Sequence, residues 1–176
     1  MSAAARMERP APGEFSPYYA GYIEGIASAP DIRALLERQM DEIREAFEAF
    51  GEARGGHRYA PGKWSVKEVA GHMGDAERVF AYRALRAARG DATPLPGFEE
   101  DAWVAAANFD RRPLREIVDD LAAVRAATLR LVAGLDDEAA ARQGIANDSP
   151  FTVRALVWVI AGHAAHHLRI LRERYA

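Results

Sequence analysis

Three of the chain's five histidines, His163, His166 and His167, crowd into one short stretch, Gly162-His163-Ala164-Ala165-His166-His167-Leu168-Arg169. No proline interrupts residues 152–174, so the stretch reads as helix. At about 100° per residue, His163 and His167 then share a face, one turn apart. Leu156, Ile160 and Leu171 lie on or beside that face, which makes it the inward one. His166 falls to the other side of His163, near Arg169 and Glu173, at the polar edge. Two inward imidazoles at this spacing are an arrangement a metal ion uses well, and one that is costly to bury unpaired. Earlier in the chain His72 lies among Val69, Ala76, Val79 and Phe80. Alone it is most simply a satisfied core residue, but beside the other two it becomes a third candidate ligand.

Three neutral imidazoles suit Zn²⁺, Ni²⁺, Fe²⁺ or Cu²⁺ and do not suit Mg²⁺ or Ca²⁺. Three protein ligands leave a coordination position for water or substrate. An ion so held lowers the pKa of a bound water or thiol and polarises a carbonyl. The H-E-x-x-H peptidase motif is absent, because Ala164 stands where its glutamate would be. Cysteine is also absent, which excludes disulfides, thiolate ligands and a protein thiol nucleophile. Any thiol chemistry must use a thiol from outside. Glu68, Asp75, Arg83 and His166 are further polar candidates, His166 as a proton shuttle or a partner to a ligand. Each of the four also reads as an ordinary solvated or salt-bridged side chain. The spacing leaves two readings open, a metal site or three satisfied core histidines.

These residues need helices to position them. Phe15–Ile26, with Tyr18, Tyr19 and Tyr22, predicts a short helix across a bundle, its aromatics packing. Pro30-Asp31 opens a first long helix with an apolar stripe from Ile32 to Phe50, ended by Gly51 and Gly55-Gly56. Ser65 and Glu68 form a capping box, Trp64 and Val69 a hydrophobic staple, and the second helix runs to Arg89 before Gly90. A long connection over residues 91–112 holds a short helix from Glu99 to Ala107. Pro113 starts the third long helix, which Gly134 ends; a short turn covers Asp136–Ala141. Asn147-Asp148-Ser149-Pro150 reads as a loop and Thr152 as the cap of the fourth helix. No strand pattern is visible. The expected fold is all-α, a four-helix bundle with short extra helices in the connections. With the second and fourth helices antiparallel, His72, His163 and His167 come to one level near one end, open to solvent there.

At 176 residues and 49% hydrophobic, the chain is long enough for one domain with a proper core. Residues 1–14, rich in Ala, Pro and Arg without an apolar run, are expected to be a disordered tail and not a signal peptide, leaving 15–176 as the domain. No membrane-length apolar run is present, and the cytosol is the default compartment. A net charge of −3 with no basic face or aromatic platform argues against nucleic-acid binding.

The segment Trp64-Ser65-Val66-Lys67-Glu68-Val69-Ala70-Gly71-His72, followed by Gly162-His163-Ala164-Ala165-His166-His167, resembles the DinB/YfiT-like metalloenzyme superfamily. The similarity spans roughly residues 15–175 and includes DAERVFAYRALRAARGD and HHLRILRERY. It implies an up-down-down-up bundle, a divalent metal (commonly nickel or zinc) bound by His72, His163 and His167, and a homodimer. It further implies action on a small electrophilic substrate by water or by a low-molecular-weight thiol cosubstrate. Members include bacillithiol-type transferases, a mycothiol-dependent maleylpyruvate isomerase and proteins labelled as hydrolases. Transferase-type relatives often carry Gln shortly after the last ligand, where this chain has Ile170 and Leu171, so the substrate stays open. The competing expectation is a non-enzymatic, dimeric stress or binding protein with a structural or vestigial metal.

Overall fold

The computed structural model describes residues 7–176. Its helices are α1 (Ala20–Glu24, preceded by a 3₁₀ turn), α2 (Ile32–Arg54), α3 (Val66–Ala88), α4 (Glu100–Ala107), α5 (Leu114–Ala133), α6 (Asp137–Ala141) and α7 (Val153–Ile170). A hairpin of β1 (Gln143–Ala146) and β2 (Ser149–Thr152) precedes α7, and a π turn, Leu171–Tyr175, extends that helix.

Local chemistry sets the helix starts. The Asp31 side chain accepts from the amides of Arg33 and Ala34, and Thr152 Oγ1 accepts from Ala155 N. The capping box closes reciprocally: Ser65 Oγ accepts from Glu68 N at 3.0 Å and Glu68 Oε2 accepts from Ser65 N at 2.7 Å. Gly90, at φ +80°, supplies the left-handed exit after α3.

Helix α2 packs on α5 and α7, α3 packs on the same two, and α2 and α3 stand diagonally across. Contacts along the helices give the directions. Arg33 reaches Val132 and Glu52 reaches Leu114, so α2 and α5 are antiparallel. Arg78 reaches Asp120 while Ser65 reaches Asp110 at the mouth of α5, so α3 and α5 run parallel, joined by the long 89–113 crossing. Tyr175 donates to Trp64 O while His163 meets His72, so α3 and α7 are antiparallel. The order is up-down-down-up. The apolar core falls into two halves, one around Leu36, Phe80 and Leu156, the other around Ile43, Met73 and Leu168. Between them lie buried polar groups: Gln39 from α2, Glu77 from α3, Arg125 from α5 and His163 from α7.

Two expectations are corrected. Asn147 and Asp148, at φ +50° and +57°, form the two-residue turn of a β-hairpin where a loop was expected and no strand was visible. Both residue types tolerate the left-handed region, and Pro150 fits because it pairs with Ile145 at a position whose amide faces away from the partner strand. The expected 1–14 tail also changes. Its first six residues lie outside the described part, but from Met7 onward the chain is docked. Met7 is buried and its carbonyl accepts from Trp158 Nε1, while Thr152 N donates to Glu14 O. Among the described residues no helix is long and apolar enough to cross a membrane.

Candidate metal centre

Helices α3 and α7 bring His72, His163 and His167 together. The Nε2 atoms of His72 and His167 each lie 3.0 Å from Nε2 of His163, and one ring nitrogen from each residue falls within 4.8 Å of the others. All three residues are at least 92% buried, with 3%, 5% and 8% exposure. Around them stands an aromatic wall. The Trp64 ring sits 4.5 Å from that of His72, Tyr22 5.5 Å from His163 and Phe80 5.9 Å from His163.

This environment favours neutral rings. Burial pushes His72 down to about 4, and it pushes His163 and His167 well below the ordinary histidine range, with the neighbouring imidazoles adding to the effect. Neutral rings keep the lone pairs that ligation needs.

Hydrogen bonding alone does not satisfy the cluster. A ring nitrogen carries either one hydrogen or one in-plane lone pair. Nε2 of His163 nonetheless has two imidazole nitrogens at 3.0 Å, so it can serve only one of them. A cation serves all three at once: two nitrogens each about 2.1 Å from a shared ion stand about 3.0 Å apart at a right angle and about 3.4 Å apart at the tetrahedral angle, and the spacing here lies at the lower of these. The donor set is therefore one that fits a divalent transition metal.

The centre opens into a cleft of about 250 Å³ whose lining includes His72, His163, Phe80, Tyr22, Arg83 and Glu100. The opening is on the flank of the bundle, between the α1 region, the 97–100 segment and the hairpin, and not at the bundle end that antiparallel helix levels predict. Trp64, whose ring lies against those of His72 and His167 and whose carbonyl accepts from the Tyr175 hydroxyl, covers the end at the start of α3; the docked α1 lies on α7 beside His163, and the hairpin stands at the far end, where Arg142 reaches Ala88 O. Glycine makes the close cover possible: a Cβ on Gly162 would lie 2.3 Å from the Tyr22 carbonyl oxygen.

The other sequence candidates scatter. Glu68 is spent on the cap and on Arg58, at 2.9 Å. Asp75 pairs with Arg78 at 3.2 Å. His166 stays outside the triad, its Nδ1 3.4 Å from Arg169 and its ring 5.1 Å from Tyr22. Arg83 does reach the cleft. Glu100 was not foreseen: its Oε2 lies 4.0 Å from His72 Nε2, and burial, with Asp101 and Glu99 nearby, raises its pKa. An acid in the first turn of a short connecting helix carries no sequence signal that separates it from an ordinary dipole partner. Tyr22 likewise read as packing alone.

The fold and centre agree with what comparison finds. The model of the DinB superfamily matches residues 3–171, and the chain belongs to that family. No curated protein matches in sequence. Among solved structures, the chain is similar to YfiT from Bacillus subtilis, described as a probable metal-dependent hydrolase with an unusual four-helix bundle topology. The two share 18% identity and a TM-score of 0.73, over 94% of this chain and 90% of that one.

Proposed function

We propose that the protein is a metal-dependent enzyme in which His72, His163 and His167 hold a divalent ion, nickel or zinc by preference. In the cleft, water or a low-molecular-weight thiol attacks a small electrophilic substrate. The observation that carries this reading is the doubly approached Nε2 of His163: a hydrogen bond there serves only one of the two buried imidazole nitrogens beside it, whereas a shared cation serves both. The description of YfiT as a probable metal-dependent hydrolase supports the same class.

When bound, the ion supplies Lewis acidity that makes a nucleophile available at neutral pH. The chain supplies the rest. Glu100, beside His72 at the cleft wall, is placed to take the proton of the nucleophile and return it to the leaving group. Tyr22, Phe80 and Trp64 keep the imidazoles dry and fixed. The cleft volume of about 250 Å³ suits a small molecule. A homodimer and a cytoplasmic setting belong to the same proposal.

The test is metal analysis of protein purified without a histidine tag, followed by assays with ester, amide and thiol-plus-electrophile substrates. About one transition metal per chain is expected. Loss of that metal in His163→Ala, together with metal-dependent turnover, supports the proposal. Retention of the metal in His163→Ala would overturn the ligand assignment. Full metal with no turnover across the series would favour a stabilising ion in a binding protein.

A further inference from the structure

Away from the imidazoles the cleft runs along α3 to Arg83, about 16 Å further down the axis at ~1.5 Å per residue. Its guanidinium lies beside Tyr19 and Phe98, on the wall of the cleft that Phe80 and His72 also line. Arg83 is 4% exposed. Its Nη2 donates to Pro96 O at 2.7 Å, and its guanidinium carbon lies 5.8 Å from the centre of the Phe98 ring. Among the described residues no carboxylate comes within 4.0 Å of it. Arg125, the other deeply buried arginine, is by contrast held by two oxygens of Glu77 and a backbone carbonyl.

A guanidinium has five N–H donors in a fixed fork, matched to a carboxylate. Pro96 O takes one, and the Tyr19 hydroxyl is close by. Tying the 91–99 connection to α3 needs a single neutral donor, and a buried cation is an expensive way to provide it. Glu100 sits at the imidazole end of the cleft and Glu99 on its exposed rim, which disfavours a second anion there.

We infer that Arg83 is the anchor for a carboxylate on the substrate: a small acid whose apolar body lies along Phe80 and Phe98 and whose reacting group meets the histidine centre. The inference rests on the proposed function for its second half, but the recognition of the acid by Arg83 stands on the cleft itself.

The probes are 4-phenylbutanoate and its neutral isostere 4-phenylbutanamide, titrated calorimetrically into the zinc-loaded full chain. The acid binds at least about tenfold tighter than the amide in the wild type. Arg83→Gln brings the two to parity while zinc content and Tm stay at wild-type values. An acid preference that persists in Arg83→Gln places the carboxylate on the zinc and overturns the assignment, as does the absence of preference in the wild type. Should the glutamine variant fail to fold, Arg83→Lys decides. It keeps the charge and gives up the fork, and an unchanged preference sinks the idea. Zinc content is measured separately, so a chain that holds no zinc yet keeps an Arg83-dependent preference defeats the metal reading alone.

Discussion

Arg125 and Glu77 form a two-pronged ion pair in the middle of the bundle, with Nε–Oε1 and Nη2–Oε2 both at 2.8 Å. The two residues are 1% and 4% exposed. Arg125 Nη1 also donates to Leu36 O at 2.9 Å and approaches Gln39 Oε1 at 3.4 Å. Gln39 Nε2 in turn donates to Ala161 O at 2.7 Å, two residues before His163. One network thus touches all four long helices at the level of the metal centre, and it sets the register in which His72 and His163 meet.

Breaking that pair from one side leaves a buried charge without its partner. Glu77→Ala is expected to cost about 3–5 kcal/mol in denaturant unfolding. The double variant Glu77→Leu/Arg125→Met is expected to lose much less, because it removes both charges. A double variant as unstable as the single one would show that packing, not charge, is what the network supplies.

Gly162 lets α1 lie against α7 beside the ligands. In Gly162→Ala the new Cβ meets backbone, so the neighbour cannot simply rotate away. We expect a loss of about 1–3 kcal/mol and weaker metal retention, as Tyr22 is pushed from the His163 ring. Calorimetry with metal titration checks both, and a variant indistinguishable from wild type would refute the close approach.

Glu100→Gln should leave metal content unchanged and lower turnover on any active substrate by about 10²–10⁴-fold. His166→Ala should keep both the metal and most of the turnover, since that ring faces Arg169 and Tyr22 rather than the centre. The opposite pattern would assign the proton transfer to His166.

Acid should weaken the metal-free protein in two windows. His72 titrates near 4 when folded against an ordinary 6.5, so between those values the unfolded chain binds more protons. Stability is then full above 6.5 and falls as pH drops toward 4, by at most about 1.4 kcal/mol per pH unit for each such histidine. Glu14, held near 2 by its bond to Arg154, stabilises above its ordinary 4.5 and loses that contribution as pH falls toward 2. Thermal unfolding across pH 7.5 to 3 checks this. His72→Gln should make the upper window shallower, with His163 and His167 supplying the remainder, and Glu14→Gln should flatten the lower one.

The bundle was legible because its signals are local. The Ser65–Glu68 box, the acid at Asp31, the glycine exit at Gly90 and the long apolar stripes act within one or two turns. So does the His163–His167 pair, since helical pitch alone puts both rings on one face. The hairpin was missed for a related reason: its turn, Asn147-Asp148, lacks the usual glycine and its second strand contains Pro150, so the local pattern argued for a loop.

What the chain determined by itself is which residues can be ligands and which helices carry them. Only the tertiary structure decided which groups surround them. The meeting of His72 with His163, the nearness of Glu100, the wall made by Tyr22 and the seating of Arg83 against Pro96 O and Phe98 depend on segments far apart in sequence. Such meetings are fixed by packing, through the two-sided burial of α3 and α7 and the contact that Gly162 permits, and packing leaves no periodic trace in any one stretch.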